Sequence, residues 1–228
     1  KLIEEGIIGD IIHFNCRYYH DSYLDLNKPF SWRLERGKSG GGALVDLGIH
    51  AVDIVRYVLG NVSEVGGYAK TFIKQRPCEG VMKDVDVDDF AHLDLTLENH
   101  AQGTVEVSRV SAGATGDLVF EIFGTKGSLR ISTGQPDCPQ VTIFGQGRQG
   151  GGSAFVFDDA QADIGYLWPT GKSSLGLLVN AHMAAINCFV STLCGKEFAY
   201  IKAPTFRDSL EAVRVIECIY RKRRTVAE

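Results

Sequence analysis

Between Asp89 and Val110 the chain reads "DFAHLDLTLENHAQGTVEVSRV", an alternation with a period of two residues. Ala91, Leu93, Leu95 and Leu97 fall on one side of an extended chain, and His92, Asp94 and Thr96 on the other. The short polar link at Asn99 and His100 folds the two runs into a hairpin. "DLVFEIFGTKGSLRIS" repeats the plan around a turn at Gly124-Thr125-Lys126-Gly127, and "QVTIF" adds another strand. Two more extended stretches lie upstream, "GDIIHFNCRYY" and "SEVGGYAKTFIK". Consecutive hairpins predict antiparallel pairing.

Helical periodicity takes over between the upstream strands, in "GGGALVDLGIHAVDIVRYVLG", Gly40 to Gly60. A helix advancing about 100° per residue brings Asp46, His50, Asp53 and Tyr57 within roughly 60° of one another. Leu44, Val45, Leu47, Ile49, Val52, Ile54, Val55, Val58 and Leu59 cover the rest of the circumference, as expected of a helix packed on several sides. Gly41 and Gly42 lie where missing side chains let a ligand or another backbone approach the N-terminus, and Gly60 is placed to end the helix. The polar stripe carries short side chains and an imidazole able to titrate near neutral pH, where a solvent face is usually rich in Lys and Glu. The helix alone leaves open a ligand-facing site and a structural stripe. Residues 177–195 and 205–222 also read as helices, the first with Leu178, His182, Ala185, Phe189 and Leu193 along its inner face. Strands in hairpin succession with helices before and after predict an α+β fold, an open and predominantly antiparallel sheet with helices on one face.

With 44% hydrophobic and 23% charged residues, the 228-residue chain can bury one large core or form two small domains. Its net charge of -4 and scattered Lys and Arg give no nucleic-acid footprint, and the basic run Arg221 to Arg224 reads as the end of a helix whose cations oppose the dipole. The six cysteines have no CxxC spacing, which points to reduced thiols in a cytoplasmic protein and not to zinc or a disulfide framework. No run approaches the ~20 apolar residues of a membrane span, and no signal peptide is visible. The opening "KLIEEGIIGDI" looks like the last turn of a helix ending at Gly6, with chain expected upstream. "GQGRQG", Gly145 to Gly150, satisfies G-x-G-x-x-G, but a glycine-rich loop and an extended segment follow it where a helix should open, so a surface loop is expected. Asn27-Lys28-Pro29 lies in a polar loop, and Lys28 is expected to be solvated.

Taken in order, "SWRLERGKSGGGALVDLGIHAVDIVRYVLG", "VDVDDFAHLDLTLENHAQGTVEVSR" and "FEIFGTKGSLRI" resemble the C-terminal domain of the Gfo/Idh/MocA oxidoreductases, and the match spans essentially residues 1–228. The resemblance implies a substrate-binding and oligomerisation domain, with residues 1–6 the end of an inter-domain helix. It also implies NAD or NADP bound mainly by an N-terminal Rossmann domain outside this sequence, and hydride exchange with a sugar or cyclitol hydroxyl carbon. The family's D-x-x-x-H element falls on Asp46 and His50. Its Trp-Arg pair falls on Trp32 and Arg33, which the resemblance assigns to the edge of the cofactor.

Oxidising a secondary alcohol requires a base for the hydroxyl proton, and His50, with a reference pKa near ~6.5, suits that task at neutral pH. Asp46 can orient the ring, bind a neighbouring hydroxyl, or do both. Tyr18, at the end of the first strand, is a further substrate-side candidate, and Asp53 is assigned to structure, tying the helix to a backbone amide. Alternatives are a non-catalytic sugar-binding or oligomerisation module of the same fold, and a metal-dependent hydrolase or isomerase using Asp46, His50 and Asp53. The chain by itself is expected to be inactive and to bind dinucleotide weakly. Asp94, Thr96, Thr104, Glu106 and Ser108, joined by Phe90, Val110, Val119 and Phe123, line the sheet face opposite the helices and predict a homodimer or tetramer through that face, the mode in which the resembled enzymes often pair.

Overall fold

A computed structural model describes residues 1–136, 139–145, 163, 165–199 and 201–222. Its strands are β1 Ile11–His20, β2 Val62–Lys70, β3 Gln75–Cys78, β4 Val81–Asp84, β5 Phe90–Leu97, β6 Gln102–Ser108, β7 Thr115–Gly124, β8 Gly127–Ser132 and β9 Gln140–Ile143. The helices are α1 Arg36–Ser39, α2 Ile49–Leu59, α3 Leu177–Leu193 and α4 Phe206–Arg221. A 3-10 turn, Trp32–Leu34, precedes α1, and a π turn, Leu44–Gly48, leads into α2. Most of Gly145 to Gly150, together with Cys138, Arg223 and Arg224, lies outside the described residues.

Seven strands form one sheet in the order β2-β5-β6-β1-β7-β8-β9. Every pair is antiparallel except β1 and β6, which run parallel with Cys16 opposite Val105. The parallel pair departs from the antiparallel expectation. β1 is inserted between the hairpins β5–β6 and β7–β8, and the chain between β1 and β6 includes the long crossover that a parallel neighbour requires. The alternation that predicted β5 holds in detail, since Ala91, Leu93, Leu95 and Leu97 are at most 2% exposed. They join Phe14, Phe120 and Ile122 beneath α2 and α4, whose Val52, Val55, Ala212 and Val215 complete the core. Each fully buried leucine of this kind contributes roughly 1.5–3 kcal/mol.

β3 and β4 form a separate hairpin that the sequence reading passed over. Its turn is the pair Glu79-Gly80, both at positive φ (50° and 85°), the conformation of a two-residue hairpin loop. The helices at 177–195 and 205–222 are present as α3 and α4. The latter starts on a capping box in which Asp208 N–H donates to Thr205 Oγ1 at 3.3 Å and Thr205 N–H donates to Asp208 Oδ2 at 2.7 Å. The inner face assigned to α3 is reversed: Leu178, Phe189 and Leu193 are 72, 58 and 71% exposed, and the buried residues are Asn180, Cys188 and Ser191. The reason is polar, because Asn180 accepts from Leu175 N–H at 3.0 Å and donates to Ser174 Oγ at 2.8 Å, and Asn187 donates to the Tyr166 carbonyl at 3.1 Å. Those bonds turn the aliphatic side outward. At the other terminus residues 2–8 form a succession of turns, with Glu5 N–H donating to the Lys1 carbonyl at 2.9 Å and Gly6 at φ 68°.

Candidate active site

The glycine run before α2 admits another backbone. Asp88, 5% exposed, accepts Gly42 N–H on Oδ1 at 3.1 Å and Leu44 N–H on Oδ2 at 2.7 Å, while its carbonyl accepts Ala43 N–H at 2.8 Å. A Cβ on Gly42 would stand 1.7 Å from that carbonyl oxygen, and one on Gly41 would stand 2.5 Å from the Tyr220 hydroxyl. Tyr220 donates to Asp88 Oδ1 at 2.5 Å, and burial first, then the Asp88 charge, raises its phenol above the ordinary range. The helix has no capping side chain of its own, so Asp88 supplies both the cap and the negative charge that its dipole favours. Neighbouring carboxylates act likewise: Asp86 accepts Arg36 N–H at the start of α1 at 2.6 Å, and Asp89 accepts the loop N–H groups of Phe72 and Ile73, each at 2.8 Å.

Held in this way, the π turn and the first turn of α2 present Asp46 and His50 at the end of the sheet where β1 and β6 finish. Asp46 Oδ2 accepts from Arg109 Nη2 at 2.7 Å, and Asp46 Oδ1 lies 3.9 Å from Arg33 Nη1. The Arg33 guanidinium lies 5.1 Å from the centre of the Trp32 ring, which is 56% exposed. His50 is exposed and meets Tyr18 edge-on, ring centres 6.4 Å apart. Among the described residues His50 makes no hydrogen bond, so its ring is not oriented by Asp46 in this arrangement. Tyr18 in turn lies 4.9 Å from His20. Burial, followed by the charges of Asp46 and Asp117, raises the Tyr18 phenol above its usual value.

The pair Asp46 and His50, Tyr18 from β1 and Arg33 from the 3-10 turn therefore share one surface, with Trp32 beside Arg33. Asp53 does not tie the helix to an amide. It makes no hydrogen bond among the described residues, and the tie belongs to Asp88. Lys28 is not simply solvated, since its Nζ donates to the Ser22 carbonyl at 3.0 Å and sits 4.0 Å over the Tyr23 ring. Among the described residues no three His, Cys, Asp or Glu side chains are grouped to hold a metal ion, so Asp46, His50 and Asp53 are not a ligand set as placed. Sequence reasoning passed over Arg109, His20 and Tyr23. Arg109 is 4% exposed, stacks 4.9 Å from the centre of Tyr23, and has a buried Nη1 without a hydrogen-bond partner among the described residues, as does His20 Nε2. An arginine ending an alternating apolar strand was the available signal.

Residues 1–130 match the family model of the GFO/IDH/MocA C-terminal domain, and the chain belongs to that family. It is 33% identical over 201 residues to levoglucosan dehydrogenase of Pseudarthrobacter phenanthrenivorans, an alignment covering 80% of this chain and 52% of that protein. The solved structure of levoglucosan dehydrogenase in complex with NADH and levoglucosan superposes with a TM-score of 0.81 at 30% identity, covering 96% of this chain and 58% of that one. An NAD binding oxidoreductase from Klebsiella pneumoniae superposes with a TM-score of 0.84 at 28% identity, covering 100% and 61%. The chain thus spans about half the length of the curated relative it matches.

Proposed function

We propose that this domain is the substrate-binding and proton-handling half of an NAD(P)-dependent dehydrogenase acting on a secondary alcohol of a sugar or polyol. The observation that carries the proposal is the convergence of a hydrogen-bonded carboxylate, Asp46, and an unpaired, exposed imidazole, His50, on one open surface of a domain whose relatives include a levoglucosan dehydrogenase. In this role His50 takes the hydroxyl proton while the carbinol carbon loses its hydride. Asp46 Oδ1 accepts a hydrogen bond from a neighbouring hydroxyl, and Tyr18 walls the substrate side of the imidazole. An exposed indole next to a guanidinium suits the edge of a dinucleotide, so Trp32 and Arg33 are the residues here that would hold it. The nicotinamide, when bound, supplies the hydride acceptor. This chain alone is expected to be inactive and to bind NAD or NADP weakly, because the resembled enzymes hold the dinucleotide mainly through their N-terminal domain. Calorimetry with both dinucleotides checks that expectation, and tight binding contradicts it.

The test of the function is reduction of NAD+ or NADP+ by the full-length protein across a panel of sugars and cyclitols. Turnover with at least one substrate is expected. Sugar binding without reduction would instead favour the non-catalytic module. We further propose a homodimer or tetramer through the open sheet face, where Tyr68, 53% exposed, stacks on His92 and lies 6.1 Å from Phe90. Ser108 and Val119, expected to line that face, are buried at 1 and 7% exposure, so the contact surface rests on Tyr68, Phe90, His92, Asp94 and Glu106. Light scattering on the chain gives a dimer or larger if this holds, and a 24.9 kDa species alone if it does not.

A further inference from the structure

Asp88 and Asp46 flank the same helix start, yet they are treated in opposite ways. Asp88 is buried and its two oxygens accept two backbone N–H groups and a phenol. Asp46 is 43% exposed at its side chain; Oδ2 is bound by Arg109, and Oδ1 has no hydrogen bond among the described residues. The cation that serves this exposed carboxylate is itself almost wholly buried, 4% exposed. Burying a guanidinium is costly, and an exposed carboxylate does not need an interior cation in order to be soluble.

The surroundings of Arg109 hold it still. Its backbone N–H donates to the Asp89 carbonyl at 2.8 Å, and its carbonyl accepts Tyr23 N–H at 3.0 Å. Its guanidinium lies 4.9 Å from the centre of the Tyr23 ring, and that ring is also flanked by Lys28 at 4.0 Å and Arg76 at 5.8 Å. Arg76, 1% exposed, donates to the carbonyls of Tyr23 and Asp25, which pins the loop carrying the ring. A rigid base therefore reaches one oxygen of one surface carboxylate, and the other oxygen, 3.9 Å from Arg33 Nη1, accepts no hydrogen bond among the described residues.

We propose that Arg109 is a positioning residue of the substrate site: by occupying Asp46 Oδ2 it fixes the carboxylate so that Oδ1 is presented to a hydroxyl next to the oxidised carbon of a polyol, and it thereby sets the requirement for that hydroxyl. This rests on the dehydrogenase reading of the Asp46 and His50 surface. Arg109 touches no reacting atom. Its effect passes through Asp46, and a substrate lacking the neighbouring hydroxyl has nothing to gain from it.

The experiment uses the full-length protein with levoglucosan and its monodeoxy analogues, comparing wild type, Arg109→Gln, Arg109→Lys, Asp46→Asn and the double variant Asp46→Asn/Arg109→Gln. Turnover is followed by dinucleotide reduction, sugar binding by calorimetry, and folding by circular dichroism. Arg109→Gln is expected to raise KM for levoglucosan about 10–100-fold with kcat changed less than about 3-fold, consistent with loss of a ground-state contact. It should leave the analogue without the neighbouring hydroxyl nearly unchanged and add little to Asp46→Asn. Arg109→Lys, which keeps the charge, should recover part of the loss. Equal losses on levoglucosan and every analogue, or effects that add fully to Asp46→Asn, would overturn the proposal and leave Arg109 a structural residue, with the dehydrogenase reading intact. Sugar binding that depends on Arg109 in a protein without dinucleotide reduction would overturn the dehydrogenase reading and retain Arg109 as the positioning group. A folded protein that neither binds nor oxidises levoglucosan or any other sugar or cyclitol of the panel overturns both.

Discussion

Two apolar helices of this domain meet the rest of the chain in opposite ways. α2 packs beneath the sheet through Ala51, Val52 and Val55, all 0% exposed, and Asp88 caps the turn that leads into it. α3 buries Asn180, Cys188 and Ser191, and leaves Leu178, Ile186, Phe189 and Leu193 between 58 and 72% exposed. An apolar run therefore specifies that a helix will form and not which side it buries. For α2 the glycines name the contact, because they fit only a close-approaching backbone. For α3 polar side chains choose the buried side, and nothing among the described residues covers the aliphatic one.

The sharpest way to break this contrast is Gly42→Ala. The added Cβ would meet backbone, the Asp88 carbonyl oxygen at 1.7 Å, and no side chain can swing away to relieve it. The domain is expected to lose more than about 4 kcal/mol of stability, or to fail to accumulate as soluble protein. A Gly42→Ala protein with a wild-type melting curve would remove the explanation of the glycine run. Next in size comes Asp88→Ala, which leaves the Gly42 and Leu44 N–H groups and the Tyr220 hydroxyl without their acceptor, at a cost of about 2–4 kcal/mol in urea denaturation. Tyr220→Phe should cost clearly less, since the N–H acceptors survive it.

A smaller effect is expected on the open sheet face. Burial works against the charged form of His92, but hydrogen bonds from its ring to Glu106 at 2.9 Å and Asp94 at 3.1 Å outweigh that and raise its pKa. A His pKa raised by folding stabilises the domain fully below the unfolded value, near ~6.5, and the contribution is lost as pH rises through the folded value. Stability measured from pH 6 to 8 should therefore fall with rising pH, and Glu106→Gln should flatten the slope. An unchanged slope would remove His92 as its source. Smallest of all is Ile186→Ser on α3. With the side chain 65% exposed, the folding free energy of this chain should change by less than about 0.5 kcal/mol, against several for a comparable change at Val52. A large loss at Ile186 would mean that the aliphatic side of α3 is covered.

The parts legible in the sequence were those with a short period. β5 and its partner β6, the β7–β8 turn at Gly124 to Gly127, and α2 follow from alternation or helical spacing, and Asp46 and His50 share a face for the same local reason. What lay beyond reach depended on long-range closure. The parallel β1–β6 pair is set by which strand fits between two hairpins. The role of Asp88 requires knowing that residue 88 returns to residue 42. Arg109 directly follows β6, and its bond to Asp46 on the π turn joins residues 63 positions apart. The β3–β4 hairpin was short of signal because Pro77 and charged residues mask its alternation, although Glu79-Gly80 marked the turn. The inner face of α3 differs from its hydrophobic pattern because the hydrogen bonds of Asn180 and Asn187 to residues outside the helix turn the polar side inward.

The most direct test of the site is the His50→Ala variant of the full-length protein, assayed for dinucleotide reduction at saturating sugar. With His50 as the base that receives the hydroxyl proton, kcat falls by ~10²–10⁴ and KM moves only a few-fold. Turnover equal to wild type in a folded His50→Ala protein would contradict that role and return the imidazole to the polar surface of α2.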